Sequence, residues 1–332
     1  MDFFNTFGLE NTRYKPDNNS IMQQSTKQRI ADTIKDALPG TYKTCIWMVK
    51  ITVGVSLAMT LLKYFNILPW ISDLISPFFR HFGLPGSAAL AYLSGYFVNC
   101  YSAIAVITSL ELDWRATTII ATMVLFSHSM VLETAVLRKT GASAVRMVVV
   151  RTVWAFVGAF LLNLVLPGGA GNAIDAAAQK WTLPFGETML QWLVSTLKLV
   201  LLMVTVIFAL NILQRLLTEF GIMDKIARLF KPLMYVLGLP LNTTFLWLVA
   251  NFVGLGYGAA VMLDEIGRGK LSKRDVQLLD SHICVSHSNV EDLMLMAAIG
   301  GVWWVMLSIR VLAAIVLVWE QRLEFLWKSE AA

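Results

Sequence analysis

The feature that most constrains this chain is a set of apolar runs that approach or reach the length of a bilayer-crossing helix. A helix needs about 20 apolar residues to cross ~30 Å of hydrocarbon, and residues 45–62 and 194–213 approach or reach that length. Of the 332 residues, 57% are hydrophobic and 15% are charged, whereas roughly 25% are charged in a typical soluble domain. The pattern predicts an all-α polytopic membrane protein and excludes an ordinary soluble domain.

Basic residues give the chain a net charge of +5, and they cluster beside the apolar segments. Lys and Arg in that position set the orientation of membrane helices. We therefore interpret them as topology signals, with membrane lipids as the surrounding partner, and expect no nucleic-acid partner.

The two halves of the chain carry the same motifs in the same order. The stretch ISDLISPFFRHFGLP in residues 71–85 matches IARLFKPLMYVLGLP in residues 226–240. The further matches, in order, are Ser127-His128-Ser129 with Ser286-His287-Ser288, Glu133 with Asp292, and Arg151 with Arg310. Such an ordered series predicts an internal repeat of one helical unit.

Each repeat is predicted to contain five segments: a long apolar helix, an amphipathic segment, a segment interrupted by Gly and Asn, a helix with Ser-His-Ser, and a final helix with the Arg. Their predicted bounds are 44–66, 71–82, 86–109, 116–138 and 143–166, then 190–213, 222–237, 241–264, 276–298 and 302–320. The predicted domains are a cytoplasmic N-terminal segment with an interfacial helix (1–43), a first membrane repeat (44–167), an external linker (168–189), a second membrane repeat (190–320) and a cytoplasmic tail (321–332).

Charge placement distinguishes two topologies for the interrupted segments. If these segments cross fully, each repeat has four spans, and Arg138, Lys139 and Arg146 lie outside, against the positive-inside rule. If they enter and return on one side, each repeat has three spans and the second repeat is inverted. The sequence therefore predicts two inverted-topology repeats in a bacterial inner membrane, with a cytoplasmic N-terminus and a substrate site where the repeats meet.

Polar and ionisable side chains lie inside the apolar segments in matched sets. Such groups are costly in a membrane and indicate a functional site. In the first repeat, Ser129 and Glu133 are four residues apart and are predicted to share one helical face; Ser288 and Asp292 repeat that spacing. The predicted substrate or ion cavity is lined by Asn99, Ser127, His128, Ser129, Glu133, Asn251, Ser286, His287, Ser288, Glu291 and Asp292.

A divalent metal path in the second repeat is one interpretation of these groups. On a continuous helix Cys284, His287 and Glu291 would share a face, and with Asp292 they offer ligands suited to iron, zinc or manganese. The alternative is a polar seam, in which His and Ser bond across helices. In that seam Glu133 and Asp292 pair with Arg151 and Arg310 as structural ion pairs.

The sequence contains no Walker A loop, no Gly-x-Ser-x-Gly elbow and no His-Glu-x-x-His motif, so we expect no enzymatic activity. The sequence identifies no cofactor with certainty. The ions that could bind are a coupling cation, sodium or a proton, or a divalent metal. The sequence leaves open whether the chain forms a homo-oligomer or binds an accessory subunit.

The motifs resemble those of the nucleoside-recognition or Gate domain family. The resemblance covers residues 44–320 and is firmest at 83–85, 127–133, 238–240 and 286–292. That family includes parts of concentrative nucleoside transporters, the membrane core of the bacterial ferrous iron transporter, and spore maturation proteins. The resemblance implies a permease for a small polar, nucleoside-like solute or a cation. An iron-like metal transporter and a non-transporting scaffold or assembly factor are the alternatives.

Overall fold

Helices form the regular structure throughout residues 25–168 and 181–330, which the computed structural model describes and in which there is no β-strand. The first half contains α1 (Thr26–Tyr64), α2 (Ile67–Phe79), α3 (Ala88–Phe97), α4 (Cys100–Leu110), α5 (Trp114–Ser127), α6 (Met130–Thr140) and α7 (Ala144–Val165). The second half contains α8 (Phe185–Glu219), α9 (Ile222–Leu237), α10 (Thr244–Phe252), α11 (Leu255–Gly267), α12 (Lys273–Ile283), α13 (Glu291–Ala298) and α14 (Trp303–Glu330). The two halves thus share one order of elements.

Five helical segments in the described ranges are long and apolar enough to cross a membrane. These segments are Thr26–Tyr64, Trp114–Thr140, Ala144–Val165, Phe185–Glu219 and Trp303–Trp327. Large apolar side chains such as Leu193, Leu197 and Leu201 on α8 are exposed on the outside of the bundle. An apolar exterior of this kind suits lipid rather than water, so the chain is a multi-pass membrane protein.

Helix α1 joins two segments that the sequence predicts as separate. The predicted interfacial helix before residue 44 and the first span form one helix of 39 residues, which runs through Pro39. Proline removes a helical hydrogen bond and crowds the carbonyl of the preceding turn, yet α1 continues through Pro39, and nearby the hydroxyl of Thr41 bonds to the carbonyl of Ala37 at 2.9 Å. At ~1.5 Å per residue, α1 is nearly twice as long as the hydrocarbon is thick, so part of it extends beyond the bilayer.

Helices α1 and α8 pack side by side and run antiparallel. Near the start of α1, Arg29 pairs with Glu219 at the end of α8 at 2.8 Å. Further along, the hydroxyls of Ser56 and Thr196 are 2.9 Å apart. Residue numbers rise along one helix as they fall along the other, so the first helices of the two halves point in opposite directions.

Helices α3 and α4 pack against each other as a hairpin. Gly83, which precedes α3, lies against the side chain of Arg115 at the start of α5, and α4 ends just before α5. Both ends of the hairpin therefore lie at the same end of the bundle. At its tip, Asn99 caps α4 by accepting a hydrogen bond from the amide of Ser102 at 2.9 Å, which accounts for the break in the segment predicted at 86–109.

Helices α10 and α11 form the corresponding hairpin in the second half. Asn242, just before α10, bonds to Asp275 near the start of α12 at 3.1 Å, and α11 leads back to that same point. The break at the tip includes Gly254, whose φ is 102°, a conformation that glycine adopts without steric cost.

The Ser-His-Ser segments are broken, whereas the sequence predicts continuous helices at 116–138 and 276–298. Helix α5 ends at Ser127, and α6 starts after Ser129, whose φ is 48°. Ser288 has the same φ of 48° in the second half. The prediction of one helical face that carries Ser129 and Glu133 is therefore wrong, and so is the equivalent prediction for Ser288 and Asp292.

Hydrogen bonds from the hairpins explain these breaks. The amide of Ser129 donates to the carbonyl of Gly95 in α3 at 2.9 Å, and the amide of Ser288 donates to Ala250 in α10 at 3.0 Å. Each hairpin thus supplies an acceptor in place of the helical one, so the amide stays satisfied where the helix is interrupted.

The outer boundaries differ from those predicted. Helix α8 begins at Phe185, within the predicted linker, and α14 continues to Glu330 through most of the predicted tail. Residues 169–180 of the predicted linker lie outside the described residues, as do residues 1–24 and 331–332.

Candidate functional site

The two broken segments cross the bundle in opposite directions and meet at their breaks. The hydroxyl of Thr118 in α5 accepts from the amide of Val302, which follows α13, at 3.1 Å. The hydroxyl of Thr140 in α6 donates to Asp280 in α12 at 2.8 Å. Between these contacts, the rings of His128 and His287 lie 5.2 Å apart.

Both imidazoles are held by a backbone carbonyl one turn earlier. Nδ1 of His128 is 3.1 Å from the carbonyl of Val124, and Nδ1 of His287 is 2.7 Å from the carbonyl of Ile283. A carbonyl oxygen can only accept, so each Nδ1 carries the proton. In the neutral tautomer, each Nε2 then presents its lone pair to the space between the halves.

Two carboxylates face these Nε2 atoms, one from each half. Nε2 of His128 is 3.0 Å from Oε1 of Glu133 and 3.3 Å from Oδ2 of Asp292. Nε2 of His287 is 3.3 Å from Oε2 of Glu133. All four side chains are buried. We call His128, His287, Glu133 and Asp292 the central cluster.

Two buried arginines support the breaks in the same way. Arg151 donates to the carbonyls of Phe126 and His128 at 3.0 and 2.8 Å. Arg310 donates to the carbonyls of Val285 and His287 at 3.1 and 2.7 Å. Each guanidinium thereby satisfies carbonyls that the broken helix leaves without a helical partner.

The two arginines differ in their third contact. Arg151 binds Oε2 of Glu133 at 2.6 Å, the partner expected from the sequence. Arg310 binds Oδ1 of Asn289 at 2.6 Å, whereas Asp292 faces His128. The predicted ion pair between Arg310 and Asp292 is therefore replaced by an amide contact, because Asn289 comes within reach of the guanidinium at the break.

The metal set predicted in the second repeat does not come together. Helix α12 ends before Cys284, so Cys284, His287 and Glu291 do not share a face. The thiol of Cys284 donates to the carbonyl of Ser281 at 3.3 Å, and Glu291 accepts from the hydroxyl of Tyr101 at 2.5 Å. The donor atoms that do converge belong to His128, Glu133 and His287, all within 4.8 Å of one another.

Several predicted cavity residues instead stabilise the breaks. Ser127 donates to the carbonyl of Met123 at 2.9 Å. Asn289 donates to Ser286 at 3.0 Å and to Oδ1 of Asn251 at 2.6 Å. Asn99 caps α4, and Ser129 and Ser288 act through their backbone amides, as described above.

Asn289 and Tyr101 are two polar residues of the site that the sequence analysis did not identify. Asn289 in the second half corresponds to Met130 in the first half. A search for residues that the two halves share therefore does not find it. Tyr101 lies beside the predicted cavity residue Asn99. Its contact with Glu291 on the opposite half can be recognised only from the packing.

A separate polar cleft of about 110 Å³ lies between α1, α4 and α8. Its lining includes Ser56, Thr60, Lys63, Thr108, Glu111 and Trp192. This cleft lies toward the end of the bundle where α1 ends and α8 begins. No sequence motif indicates this cleft, because its hydroxyls come from three helices.

Comparison with known proteins gives two matches of different extent. The model of the Gate family, described as nucleoside recognition, matches residues 45–144. The uncharacterized membrane protein YvoD of Bacillus subtilis (strain 168) is 30% identical over 287 residues, which cover 84% of this chain and 91% of that protein. No solved structure matches the chain.

Proposed function

The chain belongs to the family of membrane proteins with the Gate, or nucleoside recognition, domain, and from this premise we propose that it is a permease for a small polar solute or a cation. The observation that carries the proposal is the central cluster, in which both halves place an imidazole and a carboxylate at a helix break. Ionisable groups in the middle of membrane segments are costly and mark ion or substrate pathways.

The arrangement of the halves supports two repeats of inverted topology. Helices α1 and α8 run antiparallel, as do the broken segments α5–α6 and α12–α13, and the two hairpins start from opposite ends of the bundle. Each repeat would then have three spans and one re-entrant hairpin. Transporters of this design bind substrate near the middle of the bilayer, where the repeats meet, and one repeat moves against the other to alternate access.

Charge supports a cytoplasmic N-terminus. The start of α1 and the end of α8 lie together through Arg29 and Glu219. The start of α7 lies by the end of α14, where Arg146 pairs with Glu324 at 2.9 Å. Further basic residues at this end lie at the end of α6, in α9, in the loop after α11 and at the start of α12: Arg138, Lys139, Lys225, Arg228, Lys231, Arg268, Lys270, Lys273 and Arg274. By the positive-inside rule this end faces the cytoplasm, as expected for a bacterial inner-membrane protein.

Two glycines in open space allow this topology to be tested with cysteines introduced one at a time. Gly186 at the start of α8 and Gly267 at the end of α11 have no neighbouring atom within 4 Å of an added Cβ. In intact cells we expect a membrane-impermeant maleimide to label Gly186→Cys, and to label Gly267→Cys only after lysis. The wild-type chain is the control, since Cys45, Cys100 and Cys284 are buried. Labelling of both variants from one side would contradict the topology.

Uptake into proteoliposomes tests transport itself. With radioactive uridine, sodium and manganese as probes, we expect the wild type to take up at least one of them above empty liposomes. For Glu133→Gln and Asp292→Asn we expect that uptake to fall at least about tenfold, equivalent to ~1.4 kcal/mol, because each change removes a charge from the central cluster.

Asp32→Asn is the matched control for these variants, because Asp32 is exposed on α1 and its change should leave uptake intact. Full uptake by Glu133→Gln and Asp292→Asn would contradict a transport role for the cluster. No uptake of any probe by the folded wild type would favour a membrane scaffold or assembly factor.

A further inference from the structure

The central cluster has the composition of a transition-metal site. We propose that His128, His287 and Glu133, with Asp292 as a fourth ligand, bind one divalent first-row transition-metal ion between the two halves. The claim that this ion is the one transported rests on the proposed function. The claim that the ion binds at the central cluster does not.

Distances within the cluster fit the proposed ion. Bonds of about 2.0–2.2 Å to imidazole nitrogen and carboxylate oxygen place neighbouring ligand atoms about 3.0–3.5 Å apart around a tetrahedral or octahedral ion. The three contacts in the central cluster are 3.0, 3.3 and 3.3 Å. The ligand atoms of His128, Glu133 and His287 all lie within 4.8 Å of one another. Small side-chain movements would therefore bring the remaining pairs of ligand atoms to the spacing around a bound ion.

The strongest support for a bound ion comes from the Nε2 atom of His287. This atom is buried and has no hydrogen-bond partner among the described residues. Its neighbour at 3.3 Å is a carboxylate oxygen of Glu133. With the proton on Nδ1, two acceptors face each other, and a cation between them turns this unfavourable contact into two bonds.

The surroundings of both histidines are those of metal ligands. In metal sites the ring nitrogen that does not bind the ion commonly donates to a backbone carbonyl, which fixes the tautomer and the ring orientation. His128 and His287 both make this contact, through Val124 and Ile283. The hairpin contacts to Ser129 and Ser288 hold the two breaks in place, so the four donors are positioned before an ion binds.

Charge and ligand type narrow the choice of ion. Glu133 and Asp292 carry two negative charges, of which Arg151 offsets one through Glu133, while the guanidinium of Arg310 is bound by Asn289 and two carbonyls. Arg310 therefore makes its contacts with neutral groups, and the carboxylate of Asp292, which faces His128, is open to a cation. Imidazole donors favour zinc, iron or cobalt over sodium, magnesium or calcium, which prefer oxygen ligands, and the two carboxylates also suit manganese.

Cobalt(II) binding to the full-length protein in detergent, purified with a tag that contains no histidine, tests the proposal. The visible absorption of bound Co²⁺ reports nitrogen and oxygen ligands, and zinc should displace it. We expect one Co²⁺ per chain. His128→Ala and His287→Ala should weaken binding more than about 100-fold, because the loss of an outer-shell partner alone costs about 10–100-fold.

Two further variants make the test specific. His81→Ala should bind Co²⁺ as the wild type does, since His81 is exposed and lies outside the cluster. Asp292→Asn keeps the size of the side chain and should weaken binding at least about tenfold, so it tests the site even if a histidine variant fails to fold. Melting curves without metal confirm that each variant is folded.

The outcomes separate the site from the transport function. Absence of stoichiometric Co²⁺ binding, or unchanged binding in His128→Ala, His287→Ala and Asp292→Asn, would overturn the metal site and leave a protonated His128 bridging two carboxylates. Binding without manganese uptake into proteoliposomes would support the site and count against a metal permease. Uptake of sodium or uridine without metal binding would overturn the metal site and support the proposed permease.

Discussion

Replacement of Arg151 by methionine is expected to destabilise the protein by about 3–5 kcal/mol, the range seen when one member of a buried ion pair is removed. Methionine fills a similar volume but leaves Glu133 charged and without its guanidinium partner. It also leaves the carbonyls of Phe126 and His128 without their donor. Thermal unfolding in detergent, followed by tryptophan fluorescence, measures the loss.

A second substitution separates the ion pair from the carbonyl contacts. In Arg151→Met combined with Glu133→Gln, no charge is left unpaired at this position, so the double variant should be more stable than Arg151→Met alone. Arg80→Met is the control, because Arg80 is exposed and should change stability by no more than about 0.5 kcal/mol. Equal stability of Arg151→Met and the wild type would show that the guanidinium does not support the break.

Replacement of Gly86 by alanine is expected to have the second-largest effect on stability. A Cβ at this position would overlap the backbone carbonyl oxygen of Ser72 and lie 2.8 Å from the amide nitrogen of Ser76, both in α2. Backbone atoms cannot rotate away as a side chain can, so α2 must shift relative to the start of the α3–α4 hairpin. We expect a loss of about 3 kcal/mol, at the upper end of the usual cost of overpacking.

Gly54→Ala is the matched control for Gly86→Ala. Gly54 lies within α1, and an added Cβ there meets no atom within 4 Å. Alanine is favoured over glycine in a helix by about 0.8–1.0 kcal/mol, so this variant should be as stable as the wild type or more so. If both variants unfold at the wild-type temperature, the close approach of α2 to the hairpin does not constrain the fold.

The helical, membrane-spanning character of the chain is the part of the architecture that the sequence predicts and the structure confirms. Matching motifs at residues 71–85 and 226–240 correspond to elements that occupy the same place in the order of helices in each half. A motif and its spacing belong to the chain itself, whatever the chain packs against, and the arrangement as two inverted repeats stays a prediction. Helix ends are less well predicted, as the continuous α1 shows: Pro39 lies inside it, and α1 contacts α8 both before and after the proline, through Arg29 and Ser56.

Apolar length and the order of motifs are therefore what the sequence alone determined: a helical membrane protein with two related halves and ionisable groups inside its spans. The breaks at His128 and His287 were decided by the tertiary structure, because Ser-His-Ser contains neither Gly nor Pro, and the amides are satisfied by Gly95 and Ala250 on other helices. Those breaks also removed Cys284 from the predicted metal set, since helical periodicity does not extend across an interruption. Residues far apart in the chain became one cluster only when the two broken segments met at His128 and His287.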